Sequence, residues 1–455
     1  MGSGRAGRSN ASARVWLGLA LGRSGFESWG VRRMGRVARD AHGEEVGHGR
    51  LSMRGVRGNA VDKFQIVDCT LREGEQTPGV WWSPDEKLAL LDRLADAGIA
   101  WLDAGMPEVG EEERDFFRRA LGRTSARILA SVRLKESSVR LAFETGCDGV
   151  FLICPCSPIH RERRLGVGPA ELRRRVRGIV RMAAAAGGHV FFVAEDSVRT
   201  PVEELGDLLR TALDAGAEVL FLCDTVGMML PSSMRAHIEA VRGRVGADVP
   251  LGVHCHNDFG LATANTLSAV EAGVRWPTTC VNGIGERSGN ASLAEVVLAL
   301  ERLMGHRTGV RLDALSSLAR EVEHLSGMIR SPHQPVTGRH AFRHESGIHV
   351  DGVLKDAETY EVLSPSLLGR EREFVFGKHS GRALVRHVAA QEGLRPSEEA
   401  IEATVAWLKT RRPKAHRARF RALRASLDVY EAEAFGVSRR AVVNKLRAMS
   451  GEGDA

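Results

Sequence analysis

PVEELGDLLRTALDAGAEVLFLCDT, Pro201 to Thr225, holds the repeating unit of the chain. Its first part has the amphipathic spacing of a helix, with leucines and alanines returning every three or four positions. Ala215-Gly216 then closes the helix, because glycine reaches the left-handed backbone that ends a helix and turns the chain back. VLFLC follows without the apolar–polar alternation of a half-exposed strand, so both of its faces must be covered, as in a parallel sheet. The run ends in Asp224-Thr225, polar residues at the point where the strand would emerge.

The unit recurs. Strand-like runs are FQIVDCT (64–70), WLDAGMP (101–107), RILASVR (127–133), GVFLICP (149–155), HVFFVAED (189–196), EVLFLCDT (218–225), LGVHCHND (251–258) and WPTTCVNGIG (276–285). DAGIAWLDAG, ETGCDGVFLI and EAGVRWP repeat the helix-ending glycine before the next strand. Eight strand–helix units in about 250 residues predict an α/β fold, a closed (β/α)8 TIM barrel. An open doubly wound sheet is the runner-up, and no G-x-G-x-x-G follows the first strand to support it. The expected division is a basic extension over residues 1–60, a barrel over 61–325, and small C-terminal helical subdomains over 326–455 that cover the active site.

Composition narrows the function. The 455 residues are 43% apolar and 27% charged, an ordinary globular balance. The net charge of +7 belongs to one end, where residues 1–60 hold eleven arginines against Glu27, Asp40, Glu44 and Glu45. The rest balances to zero, so the body carries no nucleic-acid footprint. The basic segment, rich in Gly, Arg and Ser, reads as a disordered extension or an over-long start, with Met53 as the candidate first residue. Its VWLGLAL (15–21) imitates a signal peptide but is broken by Gly18 and lacks an A-x-A site; an organelle presequence is the other reading. No apolar run approaches the roughly 20 residues that span a bilayer, so no membrane partner is expected. Seven cysteines, an odd number inside apolar runs, read as reduced core thiols of a cytoplasmic protein. Cys154-Pro-Cys156 reads as small residues at a strand end rather than a redox pair.

Barrel active sites form at the C-terminal strand ends. Polar residues gather there: Arg72-Glu73 after the first strand, Glu195-Asp196 after the fifth, Asp224-Thr225 after the sixth, His254 and His256 in the seventh, Asn290 after the eighth. Any one could be a satisfied structural group, but barrel closure brings them all to one mouth. Residues two apart in a strand share a face, so His254 and His256 enter the same space. Two imidazoles with the Glu73 carboxylate and the Asn290 amide suit a divalent cation with positions left open for substrate. Mixed nitrogen and oxygen donors fit zinc, manganese, iron or cobalt, and magnesium less obviously.

DCTLREGEQTPG (68–79), HCHND (254–258), NGIGERSGNA (282–291), HESGIHVDG (344–352) and GKHSGR (377–382) together resemble the homocitrate synthase and 2-isopropylmalate synthase family. These are metal-dependent barrel enzymes that use acetyl-CoA, and the resemblance runs from residue 64 to about 380. It implies condensation of the acetyl methyl carbon with the ketone of a 2-oxo acid, then thioester hydrolysis. It implies one divalent ion (Mn, Mg, Co or Zn) on Glu73, His254 and His256, with Asn290 a fourth ligand in some members. By the same resemblance Arg72 lies beside the ketone, Thr225 holds the substrate carboxylate, and Gln76 belongs with the substrate-binding residues. His349 and Tyr360 match a histidine–tyrosine pair that commonly reaches over the partner subunit, with Glu195 near it, so a homodimer is implied.

Elementary chemistry asks for the same parts. A methyl group beside a thioester is a very weak acid and needs a positioned base, for which His349, Tyr360 and Glu195 are the candidates. The ketone needs a Lewis acid, and the alkoxide that develops needs a cation such as Arg72.

The acceptor is the harder question. Glu73, rather than aspartate, leans towards homocitrate synthases. Yet Lys135 stands where lysine-pathway members carry a histidine, and Phe191 where they carry an arginine, two residues that help select 2-oxoglutarate. Arg133 and Lys135 remain as a cationic pair for a second anionic group on the acceptor. The expectation is a homocitrate synthase-like acyltransferase, with phosphonopyruvate or phosphinopyruvate as competing acceptors. A 2-isopropylmalate or citramalate synthase, a metal-dependent aldolase or lyase, and a non-catalytic metal-retaining regulatory barrel are the alternatives. Retention of Arg72, Glu73, both strand histidines, His349 and Tyr360 counts against the last. Residues after GKHSGR read as helices, Glu398–Leu408 and Arg417–Tyr430 among them, without room for a leucine-sensing domain.

Overall fold

The computed structural model describes residues 64–411, 416–434 and 436–450. The expectations for residues 1–60, Met53 included, lie outside them. Eight parallel strands close into a barrel: β1 (Val67–Asp68), β2 (Trp101–Asp103), β3 (Arg127–Arg133), β4 (Gly149–Pro155), β5 (His189–Glu195), β6 (Val219–Asp224), β7 (Leu251–Cys255) and β8 (Trp276–Thr279). β1 completes the circle by pairing with both β2 and β8. The opening stretch behaves as its pattern predicts: Val202–Asp214 is a helix, Gly216 turns at φ 112°, and β6 is buried along its whole length. The same turn recurs at Gly98, Gly146 and Gly273.

Two apolar layers follow from the strand alternation. Val67, Leu129, Phe151, Phe191, Val219 and Phe221 fill the barrel, while the outward-facing set packs under the helices. Phe191 lies in that inner layer, against Trp101, Phe221 and Trp276, with no exposed surface. Gly252 makes room for the layer, since a β-carbon there would sit 2.3 Å from the Phe221 ring. It stands two residues before His254, so the packed interior is the floor on which both histidines rest.

The first helix, Pro84–Asp96, shows how the outer ring is specified. Ser83 and Glu86 form a capping box, and Leu88, Leu90, Leu91 and Leu94 are buried. Beyond the barrel, two short parallel strands, β9 (Arg343–His344) and β10 (Glu373–Phe374), pair beside the helix Gly347–Lys355. Helices then run Arg382–Gln391, Glu398–Thr410, His416–Ala434 and Arg439–Ser450, so the two expected there are present and longer. Among the described residues no helix is long and apolar enough to cross a membrane. All seven cysteines are free thiols, and burial pushes Cys147, Cys156 and Cys255 up to about 12.

Candidate active site

The loop after β1 is a tight turn. The carbonyl of Cys69 accepts from the amides of Arg72 (3.1 Å), Glu73 (2.7 Å) and Gly74 (3.3 Å). That curl presents Arg72 and Glu73 to the mouth, where both are buried and ion-paired to each other. Arg72 Nε donates to Asp103 Oδ2 (2.7 Å), and Asp103 Oδ1 accepts from Ser131 Oγ (2.8 Å). Burial works against the guanidinium charge, but Asp103, together with Cys69 and Cys280, holds Arg72 above its usual range.

His254 is held in one tautomer. Its Nδ1 lies 2.9 Å from Thr278 Oγ1, and that hydroxyl spends its single hydrogen on the Val253 carbonyl at 3.1 Å. Thr278 can therefore only accept from Nδ1–H, which makes Nε2 the lone-pair atom of the ring, on the side where Asn290 Nδ2 faces it. His256 Nε2 lies 3.5 Å from Glu73 Oε1, and its buried Nδ1 has no partner among the described residues. Burial keeps both imidazoles neutral. It drives His254 well below its ordinary value, helped by His256 and Arg72, and takes His256 down to about 4, helped by Arg287 and Arg72. The His256–Glu73 contact is thus a neutral ring beside a carboxylate, not an ion pair.

Glu73, His254 and His256 offer three donor atoms within 4.8 Å of one another. Ligands around a cation at about 2.1 Å stand roughly 3 to 3.5 Å apart, so the 3.5 Å between His256 and Glu73 fits a shared ion. The donor set, two neutral imidazoles and a carboxylate, fits a divalent transition metal. Asn290 is packed beside them but turns its Nδ2 to His254 Nε2 (3.3 Å) and the Cys255 carbonyl (3.4 Å). Its oxygen is therefore outside the donor set, and a ligand role would require the amide to flip. Gly285 is what admits this side chain, because a β-carbon there would meet Asn290 Oδ1 at 2.1 Å.

Across the mouth, Glu195 pairs with Arg164, and its Oε1 is 3.5 Å from His160 Nδ1. Its other oxygen is buried without a partner among the described residues. Asp196 holds a left-handed backbone at φ 65°, and its amide donates to Thr225 Oγ1 at 2.9 Å. The Thr225 hydroxyl accepts there, and its own hydrogen has no acceptor among the described residues.

The expected cationic pair is not one. Arg133 is bidentate to Glu108 (2.8 and 3.0 Å), while Lys135, exposed at the start of helix Glu136–Glu144, makes no side-chain hydrogen bond or ion pair among the described residues and acts on Glu108 only through its charge. Gln76 is exposed on the loop after β1. His349 and Tyr360 stack with ring centroids 4.1 Å apart and 21° between planes. Both are exposed, and among the described residues no hydrogen bond, ion pair or ring contact joins them to Glu195 or to the mouth.

Sequence reasoning overlooked Asp103 and Thr278, which orient Arg72 and His254. Asp103 ends the second strand just as the other polar residues end theirs, and that was its signal. Arg287 was also overlooked. It holds a left-handed backbone at φ 55°, binds Asp258 bidentately (2.8 Å twice) and donates to the Thr225 carbonyl (2.8 Å). One side chain thus ties the loops after β6, β7 and β8.

Residues 63–322 match the HMGL-like family, and residues 336–415 match the homocitrate synthase post-HMGL domain-like family. The chain belongs to the HMGL-like family. Its relatives include homocitrate synthase AksA of Methanopyrus kandleri, 42% identical over 76% of this chain and 87% of that one. Another is the 2-phosphonomethylmalate synthase of Streptomyces rubellomurinus, 40% identical over 74% of this chain and 90% of that one. Among solved HMGL-like structures, the HMG-CoA lyase from Acinetobacter baumannii in complex with coenzyme A and 3-methylmalate aligns with a TM-score of 0.54. At 22% identity over 61% of this chain and 95% of the other, it shows the shared barrel.

Proposed function

We propose that the protein joins the methyl carbon of acetyl-CoA to the ketone carbon of a 2-oxo acid bearing a second anionic group. Water then cleaves the thioester, releasing CoA and a 2-hydroxy acid with a new carboxymethyl arm. The observation that carries this reading is the convergence of Glu73, His254 and His256 on one point beside Arg72. A divalent cation held by those three residues supplies Lewis acidity to the ketone. Arg72, braced by Asp103, stabilises the negative charge that gathers on the ketone oxygen. The free hydrogen of Thr225 binds the acceptor's carboxylate. His349, stacked on Tyr360, takes the methyl proton, and the ketone oxygen gains one as the new hydroxyl forms.

That pair stands exposed and, among the described residues, unattached to its own mouth, which supports a homodimer in which it serves the second subunit. Reduced thiols throughout the barrel support a cytoplasmic setting.

Lys135 supports the second anionic group, because its exposed amine makes no hydrogen bond or ion pair among the described residues while Glu108 is engaged bidentately by Arg133. The Streptomyces relative keeps a phosphonate acceptor in view beside 2-oxoglutarate. Thiol release from acetyl-CoA, with Mn²⁺ and a panel of 2-oxoglutarate, phosphonopyruvate, pyruvate and 2-oxoisovalerate, tests the proposal. Release with a dianionic acceptor is expected. Release with none of the four overturns the reaction, and release with pyruvate or 2-oxoisovalerate alone overturns the acceptor class.

A further inference from the structure

The charged residues after β1 divide into two sets, and only one faces the mouth. Arg72 and Glu73 do. Glu75 instead meets Lys87, which lies on the helix Pro84–Asp96 and is 1% exposed. Lys87 Nζ donates to Glu75 Oε2 (2.9 Å) and to Glu113 Oε1 and Oε2 (2.8 and 2.9 Å), with the Phe116 ring 4.9 Å away. Both carboxylates end on loop backbone. Glu75 Oε1 accepts from the Trp82 amide (3.1 Å), closing the loop that presents Glu73. Glu113 Oε1 accepts from the Met106 amide (3.0 Å), three residues after Asp103, the partner of Arg72. Gly105 is pressed onto that carboxylate, where a β-carbon would come within 1.7 Å of Oε1.

Stability gives a poor reason for this cluster. Removing an ammonium and the Glu113 carboxylate from water, with Glu75 partly buried beside them, is costly, and apolar side chains of the same volume commonly stabilise a core as well or better. Burial already pushes the Glu113 carboxyl up, against the pull of Lys87. What apolar groups cannot do is hold two loops at fixed points through directional bonds. The turn carrying Glu73 and the turn following Asp103 are the two whose spacing sets where Arg72 and Glu73 stand.

We propose that Lys87 is a positioning residue, a buried tie between the loops after β1 and β2 that fixes Glu73 and Arg72 for the cation and the ketone. The inference rests on the metal reading of Glu73. Its test compares wild type, Lys87→Met/Glu113→Gln and Glu73→Gln, all stripped with a chelator. The double variant removes one charge of each sign and nearly keeps the volume. Amide hydrogen exchange of residues 72–76 and 104–107 is measured in the stripped proteins, and Mn²⁺ affinity by calorimetry. The double variant is expected to unfold near the wild-type temperature, to exchange those amides faster, and to bind Mn²⁺ roughly tenfold or more weakly, as for lost supports of metal ligands.

Unchanged loop exchange together with Mn²⁺ affinity within about twofold of wild type overturns the role of Lys87. If wild type and Glu73→Gln bind Mn²⁺ equally or not at all, the metal reading fails, and the exchange comparison still decides for or against the tie. Should the double variant not fold, Glu75→Gln, which cuts one arm and leaves Lys87 on Glu113, is judged by the same two readouts.

Discussion

His254 and His349 both belong to the proposed reaction, yet their surroundings share almost nothing. His254 is 5% exposed, is locked by Thr278 into one tautomer, and rests on a packed aromatic floor. His349 is exposed, with Tyr360 stacked on its ring. The contrast follows from what each group must do. A metal ligand has to present a lone pair at a fixed point, so every competing freedom is removed from it. A base that meets a substrate entering from solvent needs an open path, and among the described residues no bond ties His349 to its own mouth. Under the proposed homodimer, the barrel mouth is finished within one subunit and the segment after it is open to the other.

The largest effect is expected on the finished side. Chelation should abolish thiol release, and Mn²⁺, Co²⁺, Zn²⁺ or Mg²⁺ should restore part of it. His256→Ala should lose bound metal and activity together while circular dichroism stays that of a folded barrel. Full turnover by a demonstrably metal-free sample would remove the cation from the proposal.

On the open side the loss should be smaller. His349→Ala should slow exchange of the acetyl methyl protons by about 10²–10⁴-fold, the usual range for loss of a general base. Mn²⁺ binding should be unchanged, because no contact among the described residues links His349 to the donor set. Mixed with Arg72→Ala under conditions of proven subunit exchange, it should regain activity, since one mouth of each heterodimer then has both residues. If tagged heterodimers form and remain as inactive as either parent, His349 does not act across subunits.

How far these two sides could be read from the sequence differs in the same way. His254 and His256 were legible because strand period alone puts them on one face, and Glu73 because it follows a strand. Thr278 was not, since its bond to His254 depends on how β7 and β8 are staggered, a quantity no local pattern encodes. Arg133 misled for a related reason: its neutralising Glu108 lies on the loop after the neighbouring strand, where sequence shows two separate charges and space shows a pair. Likewise, the strand-like run 276–285 continues past the end of β8 at Thr279, because the chain leaves the sheet to build the loop bearing Asn290. A histidine on an amphipathic helix is legible as a base only through resemblance, because its partners are not nearby in the chain.

Thr278→Val separates the tautomer argument from packing. The substitution keeps the shape and removes the acceptor that the described residues offer His254 Nδ1–H. Mn²⁺ affinity should fall by about 10–100-fold, the range for lost outer partners of metal ligands, with the fold intact. Affinity equal to wild type would show that the floor of the barrel, rather than Thr278, sets the ring.

The smallest effect belongs to Lys135, which has neither the burial of the mouth nor the stacked partner of the later segment. It is a solvated amine, so its attraction for a carboxylate or phosphonate is that of an exposed ion pair, about 0.2–1 kcal/mol. Lys135→Ala should then raise KM for a dianionic acceptor by no more than about fivefold, leaving kcat as it was. The rise should shrink at high salt, where exposed charges are screened, and should be absent with pyruvate, which has no second anion. A KM unchanged for every acceptor would move recognition of the distal group away from the loop after β3. Arg164 would then be an alternative, and its release from Glu195 would have to accompany substrate binding.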